Sequence, residues 1–154
     1  MRDDKIKLIA LNGVVGALYA ILTLINPMSY GALQFRFSTM LLPLSIYVPQ
    51  IKAGFVIGTA IANINSSLGI IDVVVGSIIT AIAVYLVPRT KNKILMSLLY
   101  SLESGILVAL ELYYCFKMPI LYNIITVGIS GFILYTIGLS VTKQISKPIN
   151  KYMI

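Results

Sequence analysis

The chain has 154 residues, of which 58% are hydrophobic and 11% charged, and a mean hydropathy of +0.94, far too apolar for a soluble domain. Its formal charge of +7, from 12 Lys and Arg against 5 Asp and Glu, is not a nucleic-acid signature, because the cations sit in small groups between apolar runs and so report topology. His is absent and Cys115 stands alone in an apolar stretch, so no intrachain disulfide, metal site or cofactor is expected.

The N-terminal MRDDKIK and the apolar run behind it look like a signal peptide, but the run passes Leu22 without an A-x-A-like cleavage site. It reads as a retained first span. The first helix is expected over about 6–25, ending at Asn26-Pro27, where proline removes a backbone donor and restricts its predecessor. A break follows, SYGALQFRFS, in which Arg36 stands between Phe35 and Phe37. A solvated loop has no use for those rings, and lipid does not tolerate the cation, so Arg36 needs a partner.

The second helix is expected over about 38–48 with Pro43 inside it, too short to cross a bilayer. Pro49 opens the third, to about Asn65; the others are expected over about 70–87, 93–116 and 119–142. With the N-terminus inside, Arg2, Lys5, Lys7, Lys52, Arg89, Lys91, Lys93, Lys143, Lys147 and Lys151 fall on the cytoplasmic side, and only Arg36 and Lys117 outside. That bias predicts cytoplasmic termini. The expected fold class is all-α, a six-helix polytopic membrane bundle forming one substrate-binding domain over 1–154.

Three acids lie within or beside the spans: Asp72, Glu103 and Glu111. An ionisable group at the centre of a membrane helix costs roughly 2.5–3.5 kcal/mol even on the lenient insertion scale, so each should face protein, a cavity or a ligand. Glu103 and Glu111 fall within about 80° of one another around the fifth helix, about 12 Å apart along it. A carboxylate there accepts two parallel hydrogen bonds, from an arginine fork or from the N–H edge of a guanine-like ring. Arg36 is expected either to pair with Asp72 or Glu111 or to meet a ligand. Tyr30, Tyr47 and Tyr122 lie near helix ends, where they serve as interfacial anchors or stack on a flat ligand.

Gly13 with Ala17, and Gly16 with Ala20, give the first helix small-xxx-small spacing, which suits close approach of the protein's own helices or of a second polypeptide. No phosphate-binding loop and no serine beside a recognisable base appear, so an enzyme is not expected.

ALNGVVGALYAILTL, SYGALQFRFS, GFVIGTAIANINSSLGIIDVVVGS, LVALEL and LYNIITVGIS resemble, in this order, the queuosine-precursor transporter family, QueT, over about residues 8–140. The combination of YG-x-x-QFR-x-S with LG-x-x-D-x-V-x-GS carries the resemblance. It implies a multi-pass protein of the bacterial plasma membrane, the S component of an energy-coupling factor (ECF) importer. Such a component captures a 7-deazaguanine from outside, docks through the first helix on a transmembrane coupling subunit bearing two ATPases, and topples to deliver its ligand. On that resemblance Gly13, Gly16, Ala17 and Ala20 form the docking face. Gln34, Arg36, Asp72, Glu111 and Asn123 occupy motif positions of the binding site, and Glu103 is an additional acid. Thr39 and Gly131 stand where the family pattern has glutamates, which alters the charge offered to an aminomethyl group. Two other readings stay open: an S component for a vitamin such as riboflavin or thiamine, and a membrane scaffold whose acids are structural.

Overall fold

The computed structural model describes residues 2–30 and 34–153, with side chains over 4–30 and 34–151, so Gly31, Ala32 and Leu33 of the SYGALQFRFS break lie outside the described residues. The chain is all-helical there: α1 (Arg2–Leu24), α2 (Leu44–Tyr47), α3 (Lys52–Asn63), α4 (Ile70–Tyr85), α5 (Lys93–Phe116) and α6 (Ile120–Met153), with short 3-10 turns at Pro27–Ser29, Phe37–Leu41, Pro49–Ile51 and Val87–Arg89. Among the described residues α1, α4, α5 and α6 belong to helical stretches long and apolar enough to cross a membrane. Their outward faces are mainly Ile, Leu and Val, with Tyr85, Tyr113, Tyr114, Phe116 and Tyr122 exposed near helix ends, and Leu42, Val48, Ile51, Phe55, Ala83 and Leu112 fill the interior.

Two stretches depart from expectation. The second helix is a 3-10 turn followed by a single α-turn, because Pro43 supplies no donor and Pro49 holds Val48 away from helical geometry, at φ −131° and ψ 77°. Irregular backbone survives at membrane depth only inside protein. Ser38, Thr39, Leu42, Leu44, Ser45 and Val48 are accordingly buried. The approach to α6 is close: a Cβ on Gly138 would lie 2.5 Å from the Met40 carbonyl oxygen. The sixth helix runs eleven residues beyond its expected end near 142, through Pro148 and past Lys143, Lys147 and Lys151. At about 1.5 Å per residue it is about 51 Å long, so it outreaches about 30 Å of hydrocarbon, and its last turns have water to solvate the lysines.

α1 crosses α3 on bare backbone. A Cβ on Gly58 would lie 2.5 Å from the Gly16 carbonyl oxygen, and one on Gly54 would collide with the Asn12 carbonyl. Glycine is needed at both for this approach. Asn12 fastens the crossing: its Nδ2 donates to the Leu8 and Gln50 carbonyls at 2.9 Å, and its Oδ1 accepts from Gly54 N–H at 2.7 Å. Gly16 and Ala20 are therefore buried inside the protein, whereas Gly13, with nothing within 4 Å of an added Cβ, and Ala17 are exposed. The open small-residue face of α1 is narrower than the four-residue stripe expected from the sequence, because α3 already occupies half of it.

The connections sort the residues between two ends. Lys52, opening α3, lies over the Tyr85 ring that closes α4, and Asn150 near the end of α6 donates to the Tyr47 carbonyl. The starts of α3 and α5 and the ends of α4 and α6 thus share the cation-rich end. Asn26, Asn63, Asp72, Glu111 and Asn123, at the other ends of the long elements, gather at the opposite end.

Candidate functional site

The site is built at that opposite end by a segment that folds back into the bundle. Asn26 caps the turn after α1, its Oδ1 accepting from Met28 N–H at 3.0 Å, while its Nδ2 donates to the Phe35 carbonyl. The segment beyond is pinned at each step. Ser130 Oγ of α6 donates to the Gln34 carbonyl at 2.8 Å, Thr23 Oγ1 of α1 donates to Ser38 Oγ at 2.7 Å, and the Thr39 hydroxyl lies 3.2 Å from the Tyr100 hydroxyl of α5.

Arg36 finds three partners here. Its Nε donates to the Ser29 carbonyl at 2.8 Å, its Nη2 reaches Asp72 Oδ1 at 3.5 Å, and its guanidinium lies 5.5 Å from the Tyr30 ring centroid. Burial is the largest single influence and works against its charge, but Asp72 together with Tyr19, Tyr100 and Tyr30 outweighs it, and its pKa lies above the ordinary arginine value. Tyr30 in turn donates its hydroxyl to the Ala62 carbonyl at 2.7 Å, and burial raises its pKa despite Arg36. Of the two acids expected to pair with Arg36, the direct contact is with Asp72.

Asp72 is 2% exposed and sits in the first turn of α4, where the helix dipole favours an anion. Asn63 of α3 donates to it twice, to the backbone oxygen at 2.8 Å and to Oδ1 at 3.1 Å. Gly76, one turn on, leaves room for that amide, since a Cβ there would collide with Asn63 Nδ2.

Beneath Arg36 lies a small chamber of about 30 Å³. Gln34, Arg36 and Thr39 close it on one side, and Tyr19, Gly76, Thr80, Tyr100, Ser104, Val108, Val127 and Gly131 form much of its wall. The Tyr100 ring stacks on Tyr135 with centroids 4.8 Å apart, and a Cβ on Gly131 would come within 3.2 Å of that ring. Such a space holds a water or two, far below the roughly 300 Å³ or more of ordinary ligand pockets. As it stands the chamber is too small for a ring-shaped ligand.

Three further polar residues stand one helical turn from this chamber toward the same end. Asp72 precedes Gly76 by four positions on α4, Glu111 follows Val108 by three on α5, and Asn123 precedes Val127 by four on α6. Residues three or four apart share a helix face, so the trio forms a polar tier about 5 Å above the chamber wall. Glu111 is 5% exposed and within electrostatic reach of both Asp72 and Arg36, and Asn123 is 0% exposed. Both carboxylate oxygens of Glu111, both polar atoms of the Asn123 amide, Gln34 Nε2 and Asp72 Oδ2 are buried without a hydrogen-bond partner. Leaving so many such groups unsatisfied is costly, and most folds avoid it. Together they offer carboxylate acceptors, two amide N–H donors and an amide oxygen.

The other candidates lie elsewhere. Glu103 lines a separate crevice with Ile82, Leu86, Val87 and Leu99, because its position turns it toward α4 below the tier. Tyr47 sits at the cation-rich end, its hydroxyl 3.5 Å from the Leu139 carbonyl, and Tyr122 is 52% exposed. The rings that face the chamber are instead Tyr19 and Tyr100. Neither Tyr19 nor Asn63 stood out in the sequence; the one usable signal was a polar or phenolic side chain on the inward stripe of an otherwise apolar helix.

A multi-pass membrane bundle with a small, polar-walled chamber near one face has the design of a transport protein for a small solute. The family model described as QueT transporter matches residues 9–147, and the chain belongs to that family. It is a multi-pass cell-membrane protein of the transporter class. No curated protein and no solved structure matches the chain.

Proposed function

We propose that the chain is the substrate-capturing S component of an ECF-type importer and that its ligand is a 7-deazaguanine precursor of queuosine, in the aminomethyl form or as queuine. The supporting observation is the polar tier: Glu111 and Asn123, buried and unpartnered, above a chamber walled by Tyr19 and Tyr100. A guanine-like ring presents two adjacent N–H donors that a carboxylate accepts in parallel, and beside them a carbonyl that an amide N–H satisfies. Glu111 takes the donor edge, Asn123 or Gln34 the carbonyl, and a chamber tyrosine the ring face. Arg36 and Asp72 neutralise each other, so Glu111 leaves one carboxylate in excess for a cationic or N–H-rich solute.

The small size of the chamber supports a role for the 34–39 segment. Admitting a ring requires the Ser130 and Thr39 hydrogen bonds and the long Arg36–Asp72 contact to give way, which merges chamber and tier into one pocket. Arg36 then acts as the latch of an outer lid. Delivery follows by docking of the exposed Gly13–Ala17 face of α1 on a coupling subunit that bears the two ATPases, and by toppling of the whole bundle as one domain.

The test is a binding titration of the purified chain with 7-deazaguanines, guanine, thiamine and riboflavin. Tight binding confined to deazaguanines is expected. Binding of a vitamin alone would overturn the ligand assignment, and binding of none would favour a scaffold.

A further inference from the structure

Tyr47 is not spare. At the cation-rich end it lines a crevice of about 280 Å³ together with Thr90, Lys91 and Lys93, above an apolar floor that includes Met96 and Leu139. We propose that this crevice binds the headgroup of an anionic phospholipid in the leaflet at the cation-rich end. It lies at the opposite end from Glu111 and does not depend on the identity of the transported solute.

Depth, charge and lining agree on that occupant. α5 runs from Lys93 to Phe116, so its 24 residues cover about 36 Å, a little more than the hydrocarbon thickness, and Lys93 sits at the level of the lipid phosphates. Lys91 and Lys93 are exposed, and among the described residues neither forms an ion pair. The α5 N-terminus adds its dipole in the same place, where the Asn92 side chain takes the Ile94 and Leu95 amides and its carbonyl the Met96 amide. Thr90 Oγ1 is shielded and lacks a hydrogen-bond partner, while the Tyr47 hydroxyl makes only a 3.5 Å contact. A phosphodiester meets two ammonium groups and a phenol at the rim. The glycerol and first acyl carbons then lie on Met96 and Leu139. A free anion has no use for that floor, and a zwitterionic lipid brings its own cation toward the lysines.

The test is native mass spectrometry of the full chain in detergent, with short-chain phosphatidylglycerol, short-chain phosphatidylcholine and inorganic phosphate as probes. Retention of phosphatidylglycerol is expected, with little of the other two. Lysines near an anionic lipid surface each contribute about a factor of five, so K91Q/K93Q should weaken retention about 30-fold. K5Q/K7Q removes the same charge from α1, outside the crevice, and should change retention little. Ile46 also lines the crevice, so I46W narrows it without touching a charge and should also lower retention. Equal losses in the two lysine pairs would overturn the proposal in favour of diffuse attraction, and phosphate retained as well as the lipid would overturn it in favour of a free-anion site. Loss of a protein partner in K91Q/K93Q with lipid retention intact would make the surface a protein contact and also overturn it.

Discussion

The α1–α3 crossing and the tier of Asp72, Glu111 and Asn123 both place polar groups inside an apolar bundle, yet they are finished differently. At the crossing both polar atoms of Asn12 are satisfied and glycine backbones touch. In the tier both oxygens of Glu111 and both polar atoms of Asn123 have nothing to bond. Packing that tight fixes two helices as one body, whereas polar atoms buried without partners cost stability and persist where a function uses them. The crossing is scaffold and the tier is the proposed site.

Substitutions can break each half of that contrast. Gly58→Leu strikes the crossing hardest, since its Cβ meets Gly16 backbone that cannot move aside; a loss of more than about 3 kcal/mol, or no folded protein, should appear in thermal unfolding. Arg36→Ala removes the partner of a 2%-exposed carboxylate and should cost about 3 kcal/mol, read in the same way, with Asp72→Asn in the same chain recovering part of it. Asn12→Ala orphans the Gly54 amide and the Gln50 carbonyl, and about 2 kcal/mol should be lost without any change in ligand specificity. Gly13→Leu points into open space, so stability should shift by less than about 0.5 kcal/mol while copurification of a coupling subunit fails. Intact copurification would remove α1 from the docking face.

Much of the fold was legible because lipid writes a strong pattern. Apolar runs, prolines and grouped cations located the long helices, and the oddity of Arg36 between two phenylalanines pointed to a buried partner. Asp72, Gln34, Arg36, Glu111 and Asn123 do gather at one end. What stayed hidden depended on contacts between distant parts of the chain. Gly16 reads the same whether it meets Gly54 and Gly58 or a second protein. A tyrosine near a helix end reads as an anchor or as a stacking ring, so Tyr47 and Tyr122 were candidates while Tyr19 was not. The 3-10 geometry of Phe37–Leu41 follows from how closely α6 approaches at Gly138 as much as from Pro43. The length of α6 was illegible because lysines mark the end of the hydrocarbon and not the end of a helix.

Glu103 and Glu111 offer the sharpest measurement: two acids on α5, both with buried unpartnered oxygens, but only Glu111 in the tier. Titration of a 7-deazaguanine into E111Q and E103Q, each checked for folding by thermal unfolding, separates them. Binding about 100-fold weaker is expected in E111Q, from two lost charge-assisted hydrogen bonds, with near-normal affinity in E103Q. Equal losses in both, or wild-type affinity in E111Q, would contradict that expectation.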